Sequence, residues 1–347
     1  MAENPYKNLP DKAFWKRAVA SRHFEELAEL WTPPKLTGDE KFATAGSCFA
    51  QHIGRHVSAR GYNNYLDLEP APPTLPESEY AKFGFGIYSC RYGNIYTSRQ
   101  LVQLIQEAFG HRQLSEHIWT KDGRYYDALR PSIDPIGQES QQLVRSLRAQ
   151  HLENVRKMFS ELDVMVFTLG LTETWISRVD GTAYPTAPGV IAGSLDEAPV
   201  DFVNLSIDEV RNDLNDFWSL LKSVNPQAKM ILTVSPVPLI ATASEEHVLP
   251  ATTYSKSVLR TAAGEMASTF SEVSYFPSYE IINSPQGGGY YFDPDLRSVN
   301  DRGVQYVMSH FFSGDMQLAF PARRNLQGDS DGGDVVCDEE AIETSIK

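Results

Sequence analysis

Residues Gly46-Ser47-Cys48-Phe49-Ala50 set a hydroxyl and a thiol side by side, directly after the short apolar stretch Phe42–Ala45. Beyond them Phe49, Ile53 and Val57 recur at helical spacing, so the segment reads as strand, small-residue turn and amphipathic helix. A nucleophile at such a junction faces unpaired backbone N–H groups and the positive end of the helix dipole, which favour a thiolate or an alkoxide. Gly46 lets the chain bend sharply there, and a short side chain after it projects into a cleft. Cys48 and Ser47 are therefore the two candidate nucleophiles.

Acyl transfer also needs donors for a developing oxyanion and a group to carry a proton. Gly93-Asn94 precedes a helix opening at Thr97-Ser98, and a turn in that place can aim N–H groups at an oxyanion. The nearly continuous apolar run Asp163–Leu169 predicts a strand buried on both faces, followed by Gly170-Leu171-Thr172-Glu173. Ligands of parallel α/β sheets gather at such strand ends, which puts Glu173 forward as a substrate contact or as an orienter of a base. His247, in the loop after the strand Lys229–Val234, carries an imidazole suited to moving a proton and is the candidate general base.

Helical patterns alternating with short apolar runs must position these groups. Helices are expected over Ser98–Phe109, Gln138–Glu161, from the capping box Ser206–Glu209 to Asn225, from Thr253 through Met266, and from about Asp301. Strands are expected near residues 42, 164, 230 and 273–276. The economical account is an α/β fold, a three-layer α/β/α sandwich with a mainly parallel sheet. Lys12 through Leu30 reads as a helix, part of an N-terminal helical arm over residues 1–36 that packs on a catalytic domain of residues 37–320. The prolines at 70, 72, 73 and 76 break regular structure, and the expectation is a loop that covers the active site. From Arg323 the chain turns Gly- and acid-rich, with seven acidic residues and one Lys after Arg324, and residues 321–347 read as a flexible acidic tail.

Composition bounds the function. The 347 residues carry a net charge of −14, which argues against nucleic acid as the main partner. No run of 18 apolar residues and no secretory leader is present, so the expectation is a cytoplasmic protein with no membrane span. Three cysteines without a C-x-x-C spacing suggest neither a disulfide framework nor a zinc site, and neither metal nor other cofactor is expected.

Gly46-Ser47-Cys48-Phe49-Ala50 resembles the name-giving motif of the GSCFA family, itself distantly similar to SGNH or GDSL-type esterases and acyltransferases. Arg91-Tyr-Gly-Asn-Ile-Tyr-Thr97, His247-Val-Leu with Tyr254-Ser-Lys-Ser257, and Tyr275–Ile282 resemble further blocks of that family. The resemblance implies an SGNH-like fold and an esterase or acyltransferase that works through an acyl-enzyme, on a small-molecule or saccharide acyl ester such as a polysaccharide precursor. Aligning the glycines with Gly-Asp-Ser puts Cys48 in the nucleophile's place. It further implies an oxyanion hole of Gly93 and Asn94, with Thr172 where an asparagine is expected. Asp295 would orient the base, while Ser298 stands in the usual place of the catalytic histidine. Arg91, Glu173, Lys256, Arg297 and Ser298 are the candidate substrate contacts. The departures at Ser298 and Thr172 keep a second reading open, a glycan- or acyl-ligand-binding protein of the same fold without turnover. A third is a partner-binding scaffold that uses the acidic tail.

Overall fold

The computed structural model describes residues 4–59, 65–115, 118–314, 316 and 337–345. Four strands, β1 (Phe42–Gly46), β4 (Val164–Leu169), β8 (Lys229–Val234) and β9 (Val273–Phe276), pair in parallel in that order. Their residues are nearly all buried, as a sheet covered on both faces requires. On the free side of β1 a parallel bridge joins Phe42 to Tyr65. After β1 the chain thus lays Tyr65 on one side of it and β4 on the other, and the carboxyl end of β1 is the point where ligands of such sheets bind.

Alternation along the strands sorts the core into two layers. Ala43, Ala45, Met165, Phe167, Met230 and Leu232 face α2 (Ser98–Ala108), α3 (Gln141–Glu161), α4 (Ile207–Val224) and α5 (Val248–Thr269). Phe42, Val164, Val166, Ile231 and Phe276 face α1 (Ala50–Ala59), α6 (Ser278–Ile282) and α7 (Asp301–Phe311). The period of two in the strands meets the 3.6-residue stripe of each helix, which is the three-layer arrangement expected. α2 and α4 both open on complete capping boxes, Thr97 with Gln100 and Ser206 with Glu209. No helix among the described residues is long and apolar enough to cross a membrane.

The structure departs from expectation in three places. The arm contains a 3-10 turn at Asp11–Ala13 and a π-type turn at Lys16–Ala20 rather than a helix to Leu30. Beyond them it runs extended and is held by tertiary contacts, Trp31 donating its indole N–H to the His310 carbonyl at 2.9 Å and stacking on Phe311. Two small antiparallel units stand beside the main sheet. A hairpin joins β2 (Ile118–Lys121) and β3 (Arg124–Asp127), and β5 (Glu173–Ser177) pairs with β6 (Ala183–Tyr184) and β7 (Val200–Asn204). They share a core of Trp119, Tyr126, Tyr184 and Val200. Finally, of the stretch read as a tail, residues 321–336 lie outside the described residues, while Glu340–Ser345 form a short helix, α8, after Cys337.

Candidate active site

Gly46 ends β1 with φ +140°, and a Cβ there would lie 2.5 Å from the Thr168 carbonyl oxygen of β4. Only glycine lets the two strands stay paired through the turn. The Ser47 N–H then donates to that carbonyl at 3.0 Å, and the N–H groups of Ala50 and Gln51 donate to the carbonyls of Ser47 and Cys48. This turn carries Ser47 and Cys48 to the N-terminal end of α1. Gly170, at the end of β4, is equally constrained, because a Cβ would come within 2.9 Å of Ser47 Cβ.

Ser47 and Cys48 line one small cavity together with Tyr96, Gly170, Leu171, Lys256 and Glu339. The Ser47 hydroxyl is buried and has no hydrogen-bond partner. Lys256, on α5, is buried and donates from Nζ to the Gly170 carbonyl at 2.6 Å. Burial pulls its ammonium down to about 8, against the opposing attraction of Glu339 and of Cys48. A lysine held there is partly neutral near pH 7 to 8 and can take a proton.

Asn94 lines a separate small space with Gln51, Tyr88 and Gly93 rather than the Cys48 cavity itself. Its Oδ1 accepts from Gln51 Nε2 at 3.0 Å and lies 2.7 Å from the Tyr88 hydroxyl, which also reaches the Ser47 carbonyl at 2.9 Å. Those contacts fix the amide plane, and Nδ2 donates to the Asp338 carboxyl at 3.0 Å. An amide N–H held in place and already bonded to a carboxyl oxygen is the kind of donor an oxyanion hole requires. Gly93 beside it is left-handed, with φ +69°.

The chain's own C-terminal segment fills the cleft. Cys337 hydrogen-bonds Cys48, and this bond, then burial, pushes the Cys48 thiol up while the same bond lowers Cys337, so the proton stays on Cys48. The Asp338 N–H donates to the Tyr96 hydroxyl at 3.1 Å. Glu339 accepts from Arg297 Nη2 at 2.7 Å, with the two side chains only 12% and 14% exposed.

Other residues singled out from the sequence have different surroundings. His247 is exposed and caps α5, its Nδ1 accepting from the Leu249 N–H at 3.1 Å, and it does not line the Cys48 cavity. Asp295 is exposed in a turn, accepting from the backbone N–H groups of Arg297 and Ser298 and from the Ser298 hydroxyl at 2.6 Å. It thereby braces the backbone that presents Arg297. Thr172 donates its hydroxyl to Asn204 at 2.6 Å and ties β7 to the end of β4. Arg91 is spent on the carbonyls of Phe83 and Ile133 and on Asp134. Glu173 accepts from Thr242 at 2.6 Å, and burial raises its carboxyl. None of residues 70–76 lines the Cys48 cavity.

Glu173 instead belongs to a neighbouring cavity of about 330 Å³, mostly apolar, formed with Trp175, Val190, Phe202 and Ile342 among others. Leu171, Leu239 and Glu339 line both spaces, so the large cavity adjoins the one that Cys48 lines. The sequence reading passed over Gln51, Tyr88 and Tyr96, and it gave no role to Cys337, Asp338 and Glu339. The available signal was a third cysteine in an apolar-poor stretch, followed by Asp-Glu-Glu where a helix N-terminus favours acids.

Fold and site together define an α/β protein with a thiol nucleophile candidate at the switch point of a parallel sheet. The GSCFA family profile matches residues 41–311, and the chain belongs to that family. No curated protein matches it.

Proposed function

We propose that the protein is an acyl-transfer enzyme, a carboxylic-ester hydrolase or O-acyltransferase, that forms an acyl-enzyme on Cys48. The observation that carries this reading is the Asn94 amide, fixed by Tyr88 and Gln51 and donating to the carboxyl of Asp338, whose neighbour Cys337 meets the Cys48 thiol at the end of β1. Cys48 is preferred to Ser47 because Cys48 feels Lys256 and Arg297, whereas the Ser47 hydroxyl has no partner to take its proton.

With the tail segment withdrawn, neutral Lys256 takes the thiol proton and the thiolate attacks the ester carbonyl. Asn94 Nδ2 and the turn's N–H groups hold the oxyanion. Collapse breaks the ester C–O bond, Lys256 returns the proton to the departing alcohol, and the acyl group stays on Sγ as a thioester. Water or an acceptor hydroxyl then attacks, losing its proton to Lys256, and the thiol is restored. The apolar cavity of about 330 Å³ is the space for the acyl chain.

Intact-mass measurement after mixing with small activated acyl esters tests this. One added acyl mass that later decays is expected, absent from Cys48→Ala, slowed in Lys256→Met and unchanged in His247→Ala. An adduct lost in Ser47→Ala but kept in Cys48→Ala would move the nucleophile to Ser47. Ester binding without any adduct across several chain lengths would favour the ligand-binding reading, which the occupied cleft and the raised Cys48 thiol also suit.

A further inference from the structure

The segment Cys337–Glu339 meets the proposed machinery at three separate points. Cys337 reaches the Cys48 thiol, Asp338 takes the Asn94 amide, and Glu339 takes Arg297. Ile342, one turn further on, lines the apolar cavity. Among the described residues, neither of the two main core layers contains one beyond Met316, so this segment sits on the cleft outside both layers.

Arg297 is only half used by this occupant. Nη2 serves Glu339 and lies 3.7 Å from Cys337 Sγ, while the buried Nε has no hydrogen-bond partner among the described residues. A guanidinium presents Nε and Nη2 as a fork that a carboxylate matches with two bonds, and the seated Glu339 makes one. The seat also buries two carboxyl groups, Asp338 and Glu339, beside each other while only Glu339 meets the guanidinium, which makes it costly to hold.

Resting on the reading of Cys48 as nucleophile, we propose that Arg297 is a carboxylate-recognition site for the substrate, an acyl compound bearing a free acid group. The segment 337–339 occupies that site in the substrate's absence and must leave for turnover. A ligand carboxylate satisfying both Nε and Nη2 displaces Glu339 because it pairs an N–H the segment leaves bare.

Alkylation of Cys48 tests the site without relying on ester chemistry. The probes are iodoacetate and iodoacetamide, alike in size and differing by one negative charge, applied to the full-length chain carrying Cys337→Ala and read by peptide mass. Adding Asp338→Asn and Glu339→Gln is expected to speed alkylation by both reagents, as the segment lifts off. In that chain iodoacetate should gain about tenfold over iodoacetamide, relative to their ratio on free cysteine, from one charge-assisted pairing. Arg297→Gln should abolish this preference while the iodoacetamide rate stays high. Arg297→Lys, which keeps the charge but not the fork, should retain part of it, and it serves should the glutamine variant fail to fold. A ratio equal to that of free cysteine in the segment-weakened chain overturns the carboxylate site. An iodoacetamide rate unchanged by the two tail substitutions overturns the occupancy. Either can hold even if no acyl-enzyme forms, so the failure of the acyl reading is seen separately.

Discussion

Replacing Asn94 by Asp separates what this side chain does for folding from what it does for chemistry. The carboxylate keeps an acceptor for Gln51 Nε2 and for the Tyr88 hydroxyl, now 3.0 and 2.7 Å away, so neither buried donor is stranded. The Nδ2 donor, 3.0 Å from Asp338, becomes a second oxygen. Removing one oxyanion donor costs about 2.7–4 kcal/mol in the transition state, a fall of roughly 10²–10³ in the acylation rate. Asn94→Ala loses the same donor and also removes the Oδ1 acceptor that Gln51 Nε2 and the Tyr88 hydroxyl share, at about 1–3 kcal/mol of stability. Both variants belong in an Asp338→Ala background, so that the seating of the C-terminal segment is not the variable. Rapid-quench mass spectrometry at saturating ester, near pH 8 where two donors keep the new carboxyl ionised, reads the rate. Both should acylate slowly, and only the alanine variant should melt clearly earlier. A folded Asn94→Asp protein acylating within about threefold of its parent would refute the oxyanion role.

Gly46→Ala drives a methyl group against the Thr168 backbone at 2.5–2.9 Å in a conformation L-residues avoid, so urea titration should show a loss of about 3 kcal/mol or more. The acylation rate of the unmutated protein should climb with pH to about 8, where Lys256 loses its proton, and then level off; Lys256→Met should lose that limb and about 10²–10⁴ in rate. Acid should destabilise the fold through the buried His151–Glu69 pair. Burial, reinforced by Arg130, holds His151 down to about 4, so the unfolded chain takes that proton first, and stability on the order of 3 kcal/mol is lost as pH falls from about 6.5 to 4. Burial works upward on Glu69, but the bonds from His151 and the Arg91 N–H, with the charges of His151 and Arg130, together outweigh this and leave it at about 2, which adds a further loss below about 4.5. Equal unfolding free energies at pH 7 and pH 4.5 would contradict this.

The amino-acid sequence by itself determined the elements whose signal is local. Val164–Leu169 is apolar throughout because both faces are covered, α2 and α4 carry their caps in Thr97–Gln100 and Ser206–Glu209, and Gly46-Ser47-Cys48 marks the turn that the Thr168 carbonyl demands. The β2–β3 hairpin was legible too, in Asp122-Gly123 with both φ values positive, a two-residue turn signal that lay unused between two short runs. What tertiary structure alone decided is which distant groups meet. The arm's path from Phe24 to Trp31 follows the aromatic side chains it packs on, among them Tyr290 and Phe311, not its own helical pattern. His247 has the right residue type in a loop past β8, yet that loop turns it outward as a cap, while Lys256, two turns into the helix it begins, is buried and lines the cavity that Cys48 lines. Nothing local in Cys337-Asp338-Glu339 announces a cleft ligand, because its partners Cys48, Asn94 and Arg297 are contributed by three separate parts of the chain and exist as one surface only once the sheet has folded.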